Sequence, residues 1–478
     1  MSTTPPPLTR TFKSLFAVGS TAEAIVISTI SQFLLLYYNQ VRGLPASLVG
    51  LAISAGLVVN AFWDPIVGSW SDRSRTRLGR RHPFMFAAIL PVGISFWALF
   101  NPPDSLGQTA QLVWLGIGNI FLQQALAVFH TPHLALGGEL SQNYFERSNV
   151  MSYNTFCLWA GDTLCWVFSF GLFFRPHGSY ANGALDASRW PTFSLVMSSV
   201  VVGILSVSAF FTRSRIPFLR QADPTAPRFG LREFGRDVAR AVSNRNYLMM
   251  LIGYFFQSLM TGVRGGLWIY TATYFWQLKN DQIVYFSLGS FIGYVFGATV
   301  VMRLHRRLDK RWTGASAALI YSIGPVIPLA LGYFGVLRPG TPGLLGILIA
   351  FSLLQHIPFS LMTTTFYSAL ADMADENELK YGVRQEGVLY STRTFFARID
   401  QAVGAAFAGW VLTFIAFPAK AVPGQVDTLI LSNLSLAFIA SALPGLVAVI
   451  FYASMRTTRD RFDATNAALT ARRQLAQT

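Results

Sequence analysis

Runs of about 20 apolar residues recur along this 478-residue chain, and that repetition limits the fold more than any other feature. In hydrocarbon each backbone N–H and C=O must find its partner within the segment. A run of this length therefore winds into a helix of about 30 Å, the thickness of a bilayer core. Twelve such runs lie near 15–40, 46–70, 84–101, 111–140, 150–174, 192–212, 247–276, 282–302, 313–336, 343–371, 387–416 and 429–455. Composition agrees: 12% of residues are charged, about half the share usual in a soluble domain. An all-α membrane protein of twelve transmembrane helices is expected. The first run is too long for a signal-peptide core and no small-residue cleavage pattern follows it, so it is read as the first span.

The formal net charge of +15 would in a soluble chain point towards nucleic acid. The placement of the cations points elsewhere. They crowd into alternate loops: Arg73, Arg75, Arg77, Arg80 and Arg81 follow the second run, the linker from Arg213 to Arg245 holds eight arginines, and another group follows the eighth run. The intervening loops hold Arg42, Arg175, Arg189, Lys279, Arg338 and Lys420. By the positive-inside rule both ends are expected to be cytoplasmic. No spaced aromatic platform accompanies the basic loops, which argues against nucleic acid, and the bilayer is the expected large-scale partner. Cys157 and Cys165 lie eight residues apart on one helix, about 12 Å by helical rise, too far for a disulfide.

The linker divides the runs six to six. The expected organisation is an N-terminal six-helix bundle over 1–212, a basic cytoplasmic linker over 213–246, a C-terminal bundle over 247–455 and a basic cytoplasmic tail over 456–478. An internal echo supports two related halves: "GSWSDRSRTRLGRR" follows the second run, and "MRLHRRLDKRWTG" follows the eighth, six runs later. Such repeats carry their solute site near the membrane midplane where they meet.

Charges inside apolar runs are costly and mark function or a partner. Asp64 lies about 9 Å inside the second run from its cytoplasmic end, with Asn60 one turn earlier on the same face. A carboxylate there can take up a proton, or offer oxygens to Na⁺ with an amide carbonyl and a hydroxyl. Asp162 is either a polar group of a solute pocket or the partner of Arg264. Trp159 and Trp268 are candidates to stack on a sugar ring. His130 and His133 share a helix face, but no third ligand follows in any pattern, so no metal site is expected and helix-packing histidines are the default.

Three ordered segments resemble the glycoside-pentoside-hexuronide:cation symporters, the melibiose-permease-like branch of the major facilitator superfamily. They are "DPIVGSWSDRSRTRLGRRHPF" from Asp64, "TPHLALGGELSQNYFERSNV" from Thr131 and "SALADMADENELKYGVRQEGVLYS" from Ser368. The resemblance implies twelve helices in two pseudo-symmetric six-helix bundles. It also implies cation coupling through the second helix, where the family carries two acids four residues apart. Here the first is Asn60 and only Asp64 remains, which favours H⁺ over Na⁺. The resemblance places Glu139 among the cation-site ligands and Arg398 where the family has a lysine linked to that site, able to pair with Asp64 when no cation is bound. Glu23 falls near an acid that hydrogen-bonds solute hydroxyls, and Asn154 stands where an arginine addresses the solute. A conformational latch is expected from Asp72, Arg73, Arg77, Gly79, Arg80 and Arg81 in one cytoplasmic loop, and from Asp372, Asp375, Arg384 and Glu386 in another.

The expected function is secondary active transport: symport of a sugar, glycoside or related organic solute with H⁺ or Na⁺, without a cofactor, by a monomer in the cytoplasmic membrane. A carrier of lysolipids or other amphiphiles is the alternative within the same fold. A membrane-embedded enzyme or a transporter-like receptor is the alternative of another class. The absence of a HExxH motif and of a nucleophile elbow argues against the enzyme, and the absence of a Walker motif against ATP as the driving force.

Overall fold

The computed structural model describes residues 7–141, 144–176, 180, 182–219, 230–305, 307–381 and 386–475, and no strand occurs among them. Each apolar run is helical. The first six are α1 (Arg10–Thr29), α2 (Ala46–Arg73), α3 (His82–Leu99), α4 (Gln108–Glu139), α5 (Tyr144–Phe168) and α6 (Trp190–Thr212). A short amphipathic helix, α7 (Leu231–Val242), precedes α8 (Arg245–Tyr270) and α9 (Asn280–His305). The ninth run breaks at Gly324 and Pro325 into α10 (Lys310–Ile323) and α11 (Val326–Tyr333). After α12 (Leu344–Tyr381) and α13 (Glu386–Phe414), the last run breaks at Ser441 into α14 (Thr428–Ala440) and α15 (Ala442–Ala453), and α16 (Arg459–Leu475) follows. Ten spans among the described residues are long and apolar enough to cross a membrane. The other two are α8 and α13, which carry the intramembrane arginines Arg264, Arg393 and Arg398.

Compact packing divides the chain into two units. One holds Met1–Phe229 with Trp268–Ser287 and Ala405–Val426, and the other holds Gly230–Leu267, Leu288–Gly404 and Asp427–Thr478. In the first unit α1 packs on α5 and α6, α2 on α4, and α3 on α4 and α6. In the second unit α10 packs on α12 and α15, and α11 on α14. The third helix of each half thus leans on the fourth and sixth of its own half, as duplication of a six-helix ancestor would leave them.

Close approaches repeat as well. On α5, a Cβ added to Gly161 would stand 2.6 Å from the Thr21 carbonyl oxygen of α1. On α13, six helices later in the series, a Cβ on Gly404 would stand 2.7 Å from the Gly262 Cα of α8. Small residues at such points let backbones touch where lipid offers no hydrophobic drive for association. Gly161→Ala is therefore expected to cost about 1–3 kcal/mol by overpacking. Gly265→Ala, whose added methyl meets nothing within 4 Å, serves as the neutral control in thermal melts of detergent-purified protein.

The first, fifth and seventh spans continue into π-helical turns at Ile30–Leu34 and Tyr37–Val41, at Ser169–Phe173 and at Thr271–Phe275. Within the first unit these turns aim polar side chains inward from apolar helices. Tyr270 Oη donates to Asn39 Oδ1 at 3.0 Å, Tyr274 Oη to Gln40 Oε1 at 3.0 Å, and Gln40 Nε2 to the Pro418 carbonyl at 3.0 Å. Trp190 stacks on Phe100 with centroids 5.3 Å apart and closes the same end of that unit with Phe33, Phe174 and Phe193.

Candidate functional site

The site of the first unit grows from matched stripes on two helices. On α2, residues Gly56, Asn60, Asp64 and Gly68 recur every fourth position and so share one face; on α4, Asn119, Gln123 and Thr131 follow the same step. The stripes meet. Asn119 Nδ2 donates to the Ala52 and Ile53 carbonyls, both at 3.1 Å, in the space left by Gly56. Further along the seam Thr131 Oγ1 donates to Asp64 Oδ1 at 3.4 Å, beside Gly68. Asn60 is 4% exposed, and its Oδ1 accepts no hydrogen bond among the described residues. An amide oxygen, a carboxylate and a hydroxyl therefore line one short stretch of the α2–α4 seam.

Consecutive residues of a helix point about 100° apart, so the residue before Thr131 faces a different neighbour. His130 Nδ1 lies 2.7 Å from Glu23 Oε2 of α1, and Glu23 is buried. A single turn of α4 thus touches the acid of α1 with one residue and the acid of α2 with the next. His133 is different: its Nε2 lies 2.9 Å from the Phe16 carbonyl and its ring stacks on Phe16 at 4.4 Å, so it packs the helices together.

The α1–α5 seam carries the other solute candidates. Ser20 Oγ donates to Asn154 Oδ1 at 2.6 Å, Thr21 Oγ1 to the Cys157 carbonyl at 3.1 Å, and Ser28 to Asp162. Pairs 134–136 residues apart keep one register along parallel helices. Trp159 is half-buried on the same helix. Trp268, also in the first unit, stacks on Phe286 with centroids 4.3 Å apart.

Glu139, the last residue of α4, is held by the arginine loop. Its Oε1 lies 2.7 Å from Arg80 Nη2 and 2.8 Å from Arg81 Nη2. Arg81 also reaches Asp72 at 2.6 Å and Ser71 Oγ at 2.6 Å. The loop can bend this tightly because Gly79 adopts φ +73 and its N–H donates to the Thr76 carbonyl. Arg77 is exposed, and Arg73 is half-buried beside the cluster. In the second unit the equivalent helices repeat the bond: Lys310 Nζ, at the start of α10, lies 2.6 Å from Asp372 on α12. The internal echo read in the sequence is thus an echo of a clasp between the third and fourth helices of each half. Asp375 is half-buried one turn away, whereas Arg384 and the Glu386 side chain lie outside the described residues.

Arg264 belongs to the second unit. Its Nε donates to Ser441 Oγ at 3.1 Å, Nη1 to the Tyr321 carbonyl at 2.9 Å and Nη2 to the Ser322 carbonyl at 2.5 Å. Proline at 325 has no N–H for the Tyr321 carbonyl four residues earlier, and α10 ends there. The guanidinium satisfies what the break exposes. Arg398 is half-buried on α13 in the same unit.

A profile of the MFS/sugar transport protein family matches residues 15–455, nearly the whole chain. The chain belongs to that family. It is a transporter rather than an enzyme, an integral membrane protein of the major facilitator fold. Among its relatives, the inner membrane symporter YicJ of Escherichia coli (strain K12) is 24% identical over 409 residues, 84% of this chain and 82% of that one. The isoprimeverose transporter of Lactiplantibacillus pentosus is 21% identical, covering 83% of this chain and 79% of its own. Among solved structures, a bacterial homolog of the human lysosomal transporter Spinster, inward-facing and unoccupied, superposes with a TM-score of 0.68 at 12% identity. It covers 97% of this chain and 98% of its own, and at that identity the likeness concerns the fold. Sequence reasoning missed Thr131 and His130 as partners of the two acids. The signal for Thr131 was present in the four-residue step of polar residues along α4; that for His130 was not, since histidines in helices most often pack.

Proposed function

We propose that this transporter carries a sugar or glycoside across the cytoplasmic membrane in symport with H⁺, by alternating access between two six-helix bundles, with both chain termini in the cytoplasm. The observation that carries the reading is the α4 turn His130–Thr131, which touches Glu23 on one side and Asp64 on the other. Asp64 is the cation carrier, with Asn60 and Thr131 supplying neutral oxygens, and Arg398 is the fixed cation that responds to its occupancy. One formal charge among neutral oxygens suits a proton better than Na⁺, which prefers a fuller cage of hard oxygen ligands. Glu23, Asn154 and Asp162, with Trp159 and Trp268, address the solute: carboxylates bind sugar hydroxyls with strong, directional hydrogen bonds, and indole faces suit pyranose rings. Relatives named for glycoside and isoprimeverose transport support the solute class.

The arginine clasp of Asp72, Arg80, Arg81 and Glu139 and its counterpart at Lys310 and Asp372 act as latches that re-pair as the protein changes conformation. The test is a solute pulse to proteoliposomes holding the full-length protein. A panel of glycosides is expected to yield at least one that exchanges in counterflow without chemical change and alkalinises the outer medium on uptake. Uptake that requires Na⁺ and moves no protons overturns H⁺ coupling; counterflow of a lysolipid but of no glycoside overturns the solute class.

A further inference from the structure

The second unit holds a buried ionisable cluster that the coupling site at Asp64 does not use. Asp400 on α13 is 1% exposed, and its Oδ2 accepts no hydrogen bond among the described residues. A cation shares its face of the same helix: Arg393 lies seven residues earlier, two turns away. Its guanidinium is held elsewhere. It stands 4.5 Å from the ring centroids of both Tyr254 of α8 and Tyr367 of α12, and its Nη1 donates to Tyr367 Oη at 3.0 Å. Arg398 is two residues from Asp400 and so points to the other side of α13.

Other groups at this level are polar and under-satisfied. Between the Arg393–Tyr254 contact and the Gly404–Gly262 contact, the α8–α13 seam passes Gln257, 2% exposed, with neither amide atom hydrogen-bonded among the described residues. From α15 the fully buried Tyr452 brings a hydroxyl that likewise has no hydrogen-bond partner there. Among the described residues, Arg393 of its own helix, Tyr254 of α8 and Tyr452 of α15 act electrostatically on Asp400, and Tyr367 of α12 holds Arg393.

An isolated carboxylate in so dry a place must be neutralised. Two neutralisers are at hand, a proton or Arg393, and the tyrosine clamp holds the second away. We propose that Asp400 is a second proton-binding site, in the C-terminal half of the transporter, and that Arg393 is its internal competitor. With Arg393 clamped between Tyr254 and Tyr367, Asp400 carries the proton. When rearrangement of α8 against α12 releases the guanidinium, Arg393 takes the carboxylate and the proton leaves. Gln257 and the Tyr452 hydroxyl supply the polar contacts along its way. This inference holds whichever cation Asp64 binds.

Infrared difference spectra of the purified full-length protein, recorded as pH is stepped, test it. Asp400→Asn is expected to remove a protonated-carboxyl band that Asp64→Asn leaves in place, and Asp400→Glu to restore a carboxyl band at shifted frequency. Arg393→Gln, which removes the competitor without touching the acid, is expected to enlarge the band and make it persist over a wider pH range; this variant decides the matter if Asp400→Asn fails to fold. Spectra unchanged by Asp400→Asn, or a band indifferent to Arg393→Gln, overturn the proposal.

Discussion

Asp64→Asn is expected to abolish gradient-driven accumulation while solute still equilibrates down its own gradient. One proton moved per solute converts each pH unit across the membrane into about 1.4 kcal/mol, roughly ten-fold accumulation. A membrane potential of about 100 mV adds about 2.3 kcal/mol per charge, roughly fifty-fold more. The substitution keeps the hydrogen bond available to Thr131 and the volume of the side chain, but an amide cannot exchange the proton. The accumulation ratio of a labelled solute in energised proteoliposomes should therefore fall to about one. Accumulation at the wild-type ratio would remove Asp64 from the coupling reaction. Thr131→Val is the milder companion: it deletes one neutral oxygen next to Asp64, and a reduced ratio at preserved counterflow is expected.

Arg264→Ala should be the most destabilising single change on the second unit. Three donors of one buried guanidinium serve the Ser441 hydroxyl and the Tyr321 and Ser322 carbonyls, at two places where transmembrane helices are broken. Hydrogen bonds from charged donors are worth about 1.5–3 kcal/mol each, and carbonyls orphaned in a dry interior cost a similar amount. Truncation is therefore expected to cost about 3–5 kcal/mol, a large fraction of the stability of a typical protein domain. Loss of the monodisperse peak in size-exclusion chromatography, or a melting point lowered by many degrees, is the readout. Arg264→Lys keeps the charge but not the planar fork, so partial recovery is expected. A wild-type melting point combined with loss of solute binding would assign Arg264 to the solute instead.

The two acids of the first unit show how far reading the chain can go. Asp64 stood out because a carboxylate four residues after an asparagine in an apolar run has few explanations. Thr131 did not, because a threonine is unremarkable in a membrane helix until a neighbour places it against an acid. Glu139 illustrates the same limit from the other side. Its position near the end of the fourth run is equally compatible with a cation site and with a clasp on the arginine loop; the fold places it 2.7 Å from Arg80 and 2.8 Å from Arg81.

The helical character of the twelve apolar runs and their order follow from the chain alone, because hydrocarbon leaves an apolar backbone segment no partner but itself; the breaks at Gly324 and Pro325 and at Ser441 do not. The expected run at 46–70 became Ala46–Arg73, and that at 282–302 became Asn280–His305. The partners were decided by tertiary packing. Glu23 meets His130 across 107 positions of sequence, Arg264 meets Ser441 across 177, and Gln40 meets Pro418 across 378. Periodicity fixes which face of a helix a residue occupies, but a face says nothing about which helix lies opposite. That choice is made when small residues such as Gly161 and Gly404 let particular backbones come within contact and exclude the others.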